Sequence, residues 1–223
     1  MKTIILSLLS IILIVACSRD DIGNTSNYDV NSNNESNCNG DNPIYLDDNG
    51  ITIKACEWAL IGDSGEVNGI TYTIVDIQIL EEILEAGGDV TKVCTTRILD
   101  MSGMFKNIEI FNQDISNWDV SNVTDMGGMF YDTDTFNQPI GDWDVSNVTR
   151  MDKMFAEAYA FNQPLDSWDV NNVTRMGHMF YIATSFNQDL SSWGVDGVIV
   201  CGGFSDNTPQ WTLPKPNFTN CAP

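Results

Sequence analysis

A period of 25 residues constrains this chain more than any other feature. Phe111, Phe136, Phe161 and Phe186 each open a Phe-Asn-Gln triplet, and Trp118, Trp143, Trp168 and Trp193 follow at one fixed interval. The four copies read FNQDISNWDVSNVTDMGGMF, FNQPIGDWDVSNVTRMDKMF, FNQPLDSWDVNNVTRMGHMF and FNQDLSSWGVDGVIVCGGF. Such a period marks a repeat architecture in which each unit buries its apolar face only against its neighbours. One copy has too few apolar side chains to offset the ordering of its own residues, so stacking must supply the rest.

Within each copy the apolar residues fall at the first, fourth and sixth places of a six-residue window: Ile115, Trp118, Val120; Ile140, Trp143, Val145; Leu165, Trp168, Val170; Leu190, Trp193, Val195. This L-x-x-L-x-L spacing predicts a short strand whose last two apolar residues point inward. Val123, Met126, Met129 and Phe130 continue at steps of mostly three, which predicts coil with a short helical turn over Gly127 to Tyr131. The expected fold class is an α+β repeat solenoid, leucine-rich-repeat-like, with a short strand and a short helical turn in each of four repeats over 101–200.

The segments outside the repeats read differently. Lys2 precedes an apolar run from Ile4 to Val15, and Ala16 precedes Cys17, so 1–16 is expected to be a secretory signal, too short to span a bilayer. The ending Ile14-Val15-Ala16-Cys17 resembles a bacterial lipoprotein box, which implies acylation of Cys17 and a membrane partner through that anchor. Residues 17–42 are mostly Asn, Ser and Asp and predict a flexible stalk. The acidic pair Asp20-Asp21 resembles a tag that sends lipoproteins outward, so the expected location is the bacterial outer membrane or cell surface.

Residues 43–100 are expected to form an N-terminal cap. Ile44-Tyr45-Leu46 and Ile51-Thr52-Ile53 flank Asn49-Gly50, a hairpin signal, and Asn68-Gly69 gives a second turn before Thr71 to Val75. Ile77, Leu80, Ile83 and Leu84 then fall at helical spacing, with Gly87-Gly88 as a stop. The mature cysteines after Cys17 are odd in number. The expected bridges are Cys201 to Cys221, closing a C-terminal cap over 201–223, and Cys56 to Cys94, with Cys38 left over.

The formal charge of −21 excludes nucleic acid as a partner, since phosphate recognition needs clustered Lys and Arg. A single histidine, no nucleophile motif and no phosphate loop make an enzyme an unwelcome reading of this sequence. No cofactor is expected beyond a calcium ion at a column of carboxylates, Asp119, Asp144 and Asp169. The competing role for that column is to bond the backbone of the Asp-Val-Ser-Asn turn. Asn112, Asn137, Asn162 and Asn187 form a column expected to bond along the stack, and the tryptophans are expected in the core or on a ridge, with a sugar-stacking platform as the alternative if their rings face solvent.

The WDVSNVTDMGGMF string with its preceding FNQ resembles the repeat of BspA-like leucine-rich-repeat surface lipoproteins, over about Thr91 to Pro223. The resemblance implies a surface-exposed repeat protein associated with adhesion, and it lends no catalytic residue. Recognition belongs in columns that vary between repeats: Lys106, Tyr131, Ala156, Tyr181; Glu109, Asp134, Tyr159, Thr184; and Gly103, Gly128, Lys153, His178. Tyr131, Tyr159, Tyr181 and His178 make the most ligand-like set. The expected function is a cell-surface binding or adhesion module for a host or matrix protein. The alternatives are a structural coat lipoprotein and a glycan-binding accessory protein.

Overall fold

Two small sheets and one helix precede a long run of bonded turns in the computed structural model, which describes residues 37, 38 and 40–223. The signal, Cys17 and most of the stalk lie outside the described residues. Strands β1 (Ile44–Leu46) and β2 (Ile53–Ala55) pair antiparallel, with Ile44 opposite Ala55. The turn between them is longer than Asn49-Gly50 alone would require: Asn49 Oδ1 accepts from the N–H groups of Ile51 and Thr52, and this local bonding pushes the second strand on to Ile53.

Strands β3 (Ser64–Val67) and β4 (Ile70–Ile74) form a hairpin around Asn68-Gly69, where both residues take positive φ (52° and 80°) as a tight two-residue turn demands. Helix α1 (Ile77–Glu85) starts at Asp76, whose carboxylate accepts from Ile79 N at 2.9 Å. It ends at Gly87 with φ of 67°, and Gly88 N reaches Ile83 O. Strand β5 (Val93–Cys94) then lies parallel to β4.

The expected α+β solenoid of strand-plus-helical-turn repeats is corrected by these elements. Among the described residues the fold is mainly β, with one helix, in the N-terminal cap, and no helix or strand is assigned beyond Cys94. The reason is visible in how the backbone donors are shared out. The N–H groups of Gly103, Phe105 and Asn107 bond the carbonyls of Gly127, Met129 and Tyr131. Those of Met104, Lys106 and Ile108 turn back to Met101, Gly103 and Phe105. Alternate donors thus point outward and inward, which satisfies neither the i to i−4 ladder of a helix nor the full ladder of a strand. The apolar step of three is the period of these i to i−3 turns.

The 25-residue period survives as bonding register. Single parallel bridges join Asp100 to Asp125, Asp125 to Arg150, Arg150 to Arg175 and Arg175 to Val200. Beneath them Phe105, Phe130, Phe155 and Phe180 stack with ring centroids 5.3 to 5.5 Å apart. A second file, Phe111, Phe136, Phe161 and Phe186, stacks at 5.8 to 5.9 Å. The tryptophans close the core: Trp143, Trp168 and Trp193 donate Nε1–H to the carbonyls of Ile115, Ile140 and Leu165 at 2.9 to 3.1 Å. Each indole is therefore buried without an orphaned donor.

Among the described residues two disulfides are present. Cys201 bonds Cys221, and the tail between them covers the last turn, with Trp211 edge-on to Phe186 and Phe218 against Phe204. The second bridge corrects the expected pairing: Cys56 bonds Cys38, and Cys94 is free and buried. Pairing of β1 with β2 sets Cys56 N on Pro43 O, so the chain just before β1 is the neighbour of Cys56. Cys94, held in β5, directs its thiol at Ile53 O instead.

Candidate functional site

Two of the three variable columns, those of Lys106 and of Lys153, come together on the turns that carry the parallel bridges. There an open groove of about 760 Å³ is lined by Lys106, Arg150, Lys153 and Arg175 together with His178 and Tyr131. Four of the ten Lys and Arg of the whole chain, and its only histidine, thus line one groove. Arg150 and Arg175 hold the same place in consecutive repeats and are joined by a backbone bridge. Lys153 and His178 hold a second such place, three residues on, so four of these groups form a two-by-two array.

Two carboxylates orient the guanidinium groups. Arg150 Nη1 donates to Asp125 Oδ2 at 2.8 Å and Arg175 Nε to Asp152 Oδ2 at 2.7 Å, while Arg150 Nε stands 3.5 Å from that same Asp152 oxygen. Asp125 and Asp152 also accept backbone N–H from Gly127 and Gly177 through their other oxygens. The glycines leave room for these carboxylates: a Cβ on Gly127 would stand 3.1 Å from Asp125 Oδ1, and one on Gly177 3.2 Å from Asp152 Oδ1. Both arginine side chains stay nearly half exposed, at 47% and 45%.

The predicted tyrosine set is partly assembled. Tyr131, Tyr181 and His178 line a smaller hollow of about 300 Å³ beside the groove, with Lys153 and Glu157 in its wall. Tyr131 donates its hydroxyl to Glu157 Oε1 at 3.2 Å, and that carboxylate raises the Tyr131 pKa. Lys106 Nζ lies 5.3 Å from the centre of the Tyr131 ring, within cation–π range. His178 meets Tyr181 edge-on at 5.6 Å. Tyr159 lines neither cavity; its pKa is raised, first by desolvation and then by Glu157.

The aspartate column bonds its own turns, and only Asp144 and Asp169 of the three are exposed. Asp119 is buried and accepts from Thr96 Oγ1 and from the N–H and hydroxyl of Ser121. Asp144 accepts the same pair from Ser146, and Asp169 accepts the N–H and the side-chain amide of Asn171. Each carboxylate closes its own turn. Among the described residues no group of three or more His, Cys, Asp or Glu is placed to hold a metal ion. The asparagine column links repeats: Asn137 Oδ1 accepts from Asn162 N and Gln163 Nε2 at 2.9 and 3.0 Å, and Asn162 repeats this toward Asn187 and Gln188.

Sequence reasoning missed the two arginines as site residues because their variable column was not among the three it singled out. Asp125, Arg150, Arg175 and Val200 share a column that switches sign, and reading it across repeats would have exposed the basic pair.

The profile of the family described as DUF285, Mycoplasma protein of unknown function, matches residues 78–206, more than half of the sequence. The chain belongs to the DUF285 family. No match to a curated protein or to a solved structure was found. The DUF285 match opens inside α1 and runs past Phe204, so it contains every residue of the basic groove. Strands β1 to β4 and the Cys38–Cys56 bridge lie outside it.

Proposed function

We propose that this chain is a lipid-anchored cell-surface recognition module whose task is adhesion to a host or matrix component. One observation carries the reading. Side chains that change from repeat to repeat, Lys106, Tyr131, Lys153, His178 and Tyr181, stand together over a backbone whose bonding repeats every 25 residues. An unchanging scaffold under a varied surface is how repeat proteins present binding groups. The resemblance to BspA-like surface lipoproteins and the lipoprotein-like Cys17 support the location, and the reading assigns the chain no catalytic step. Burial of the repeat tryptophans gives a stacked-indole sugar platform no support.

Two experiments test the proposal. Metabolic labelling with a palmitate analogue should mark the chain and fail to mark Cys17→Ser; equal labelling of both would remove the anchor. A screen of the purified full-length chain against extracellular-matrix proteins and a glycan array, with and without calcium, should return a saturable partner. Tyr131→Ala and Tyr181→Ala should weaken that binding. Silence from folded protein across both panels would leave the coat reading.

A further inference from the structure

We propose that the basic groove binds a sulfated polysaccharide, laid across successive repeats with its sulfates against Arg150, Arg175, Lys153 and Lys106. The inference rests on the recognition reading above and names its ligand chemistry. Concentration of charge is the first argument. The chain carries 31 acidic residues against ten basic ones, yet the groove wall holds Lys106, Arg150, Lys153 and Arg175 against two carboxylates, Asp152 in the wall and Asp125 on Arg150. Salt screens charges more than about 8 Å away, so a ligand in the groove meets this local excess rather than the net charge.

The arginines are held ready by their ion pairs. Asp152 serves both guanidinium groups, and among the described residues the Nη atoms of Arg175 make no hydrogen bond. A guanidinium offers five N–H donors in a planar fork, so fixing one edge on a carboxylate leaves the others for a tetrahedral or planar anion. The backbone gives a third argument. Gly103, Gly128 and Gly203 take φ of 63° to 66° in their shared column, and Lys153 and His178 take φ of 57° and 55° in the same column. A side chain there costs on the order of 1 kcal/mol. The two repeats that accept this cost are the two that gain a basic group on the groove.

Shape selects the class of anion. Val200 is the only aliphatic side chain in the wall, so the groove lacks the buried apolar anchor on which protein partners depend. Its floor is Gly103, Gly127, Gly128 and Gly177, and their N–H groups are already spent on Gly127 O, Asp125, Asp152 O and Asp152 Oδ1, so an added peptide strand finds no ladder. A single-stranded nucleic acid bound by stacking needs exposed rings for its bases, and Lys106 Nζ stands over the Tyr131 ring. A sulfated sugar chain needs only closely spaced cations and a shallow track. Two consecutive repeats supply adjacent pairs, Arg150 with Lys153 and Arg175 with His178, at a strand spacing of about 4.8 Å, close to the length of one sugar unit.

Heparin oligosaccharide is the probe, titrated by calorimetry into the purified full-length chain at low and physiological salt. The test variant is Lys106→Ala with Lys153→Gly, which removes two cations and installs glycine where the column already uses it. Saturable binding that weakens with salt, falls about tenfold or more in the variant and vanishes with desulfated heparin is the expected result. No binding by folded protein at low salt would overturn the proposal, as would equal affinity of variant and parent. Equal binding of poly-glutamate or single-stranded DNA would also overturn it, by showing a groove that does not select sulfated sugar. If the matrix screen finds a partner that the variant still holds while heparin fails, this inference falls and the recognition reading stands; silence in both assays removes both.

Discussion

The N-terminal cap and the repeat turns solve the same problem with different means. In the cap, residues 40–94 use two paired sheets, one capped helix and the Cys38–Cys56 bridge, and leave Trp58, Leu60 and Ile61 exposed on a loop. Arg97 holds that loop by donating Nη2–H to the carbonyls of Cys56, Glu57 and Ala59 at 2.8 to 3.1 Å. In the turns that follow, almost no regular element exists, yet nearly every large apolar side chain is buried. Regular secondary structure is therefore not what makes this chain cohesive. Register is: each repeat satisfies its polar groups on the next, through backbone N–H, Asn amides and Trp Nε1.

The largest expected effect contrasts one residue type in the two regions. Trp168 is 3% exposed and bonds Ile140 O, whereas Trp58 is 49% exposed. Trp168→Ala should cost about 3–5 kcal/mol, and Trp58→Ala should stay within about 0.5 kcal/mol, read by urea melts. Comparable losses at both positions would mean that the cap loop is packed after all.

Next come the two bridges. They close loops of similar length, with sequence separations of 18 and 20, so chain entropy alone assigns each about 3 kcal/mol. Cys221→Ser should lower stability by about 2–4 kcal/mol and release the tail, exposing Trp211. Cys38→Ser should cost as much by entropy but expose little, so tryptophan fluorescence should separate the two variants. The free thiol marks the same boundary. Cys94 is buried and desolvation raises its pKa, so alkylation should reach it only after unfolding, read by peptide mass. Above an unfolded value near 9.0 the unfolded chain releases a proton that the native thiol keeps, so stability should decline as pH rises beyond it.

A smaller effect belongs to the links between repeats. Asn137→Ala removes the acceptor of two inter-repeat bonds and should cost about 1–2 kcal/mol, since Asn162 N then loses its partner. Cap variants with one exposed amide removed, such as Asn37→Ala, should be nearly silent.

How far these contacts could be read from sequence follows from what repeats. Columns separated by 25 residues disclosed the Phe, Trp and Asn files because one residue type recurs at one geometry. The cap turns at Asn68-Gly69 and the stop at Gly87 were legible for a local reason, positive φ. The fold class was not, because the alternation of outward and inward N–H groups leaves no mark on apolar spacing, and a step of three is equally the mark of a short helical turn. The groove was hidden for a different reason. Arg150 and Arg175 share a column with Asp125 and Val200, and their relation to Lys153 and His178 depends on two columns being neighbours in space.

The least expected gain tests that last point. Lys153 sits at φ of 57° where Gly103 and Gly128 take 66° and 63°. Lys153→Gly relieves about 1–2 kcal/mol of left-handed backbone cost and gives back about 0.5–1 kcal/mol in unfolded-chain entropy, for a net stabilisation of roughly 0.5 kcal/mol. The converse change is Gly203→Ala, at φ of 66°, where a new Cβ would stand 2.7 Å from the His178 ring. That variant should lose stability and displace His178 from the groove. A gain at Lys153 together with a loss at Gly203 would show that this column prefers glycine for folding. A stability loss at Lys153→Gly would instead make the lysine a structural residue and weaken its assignment to the groove.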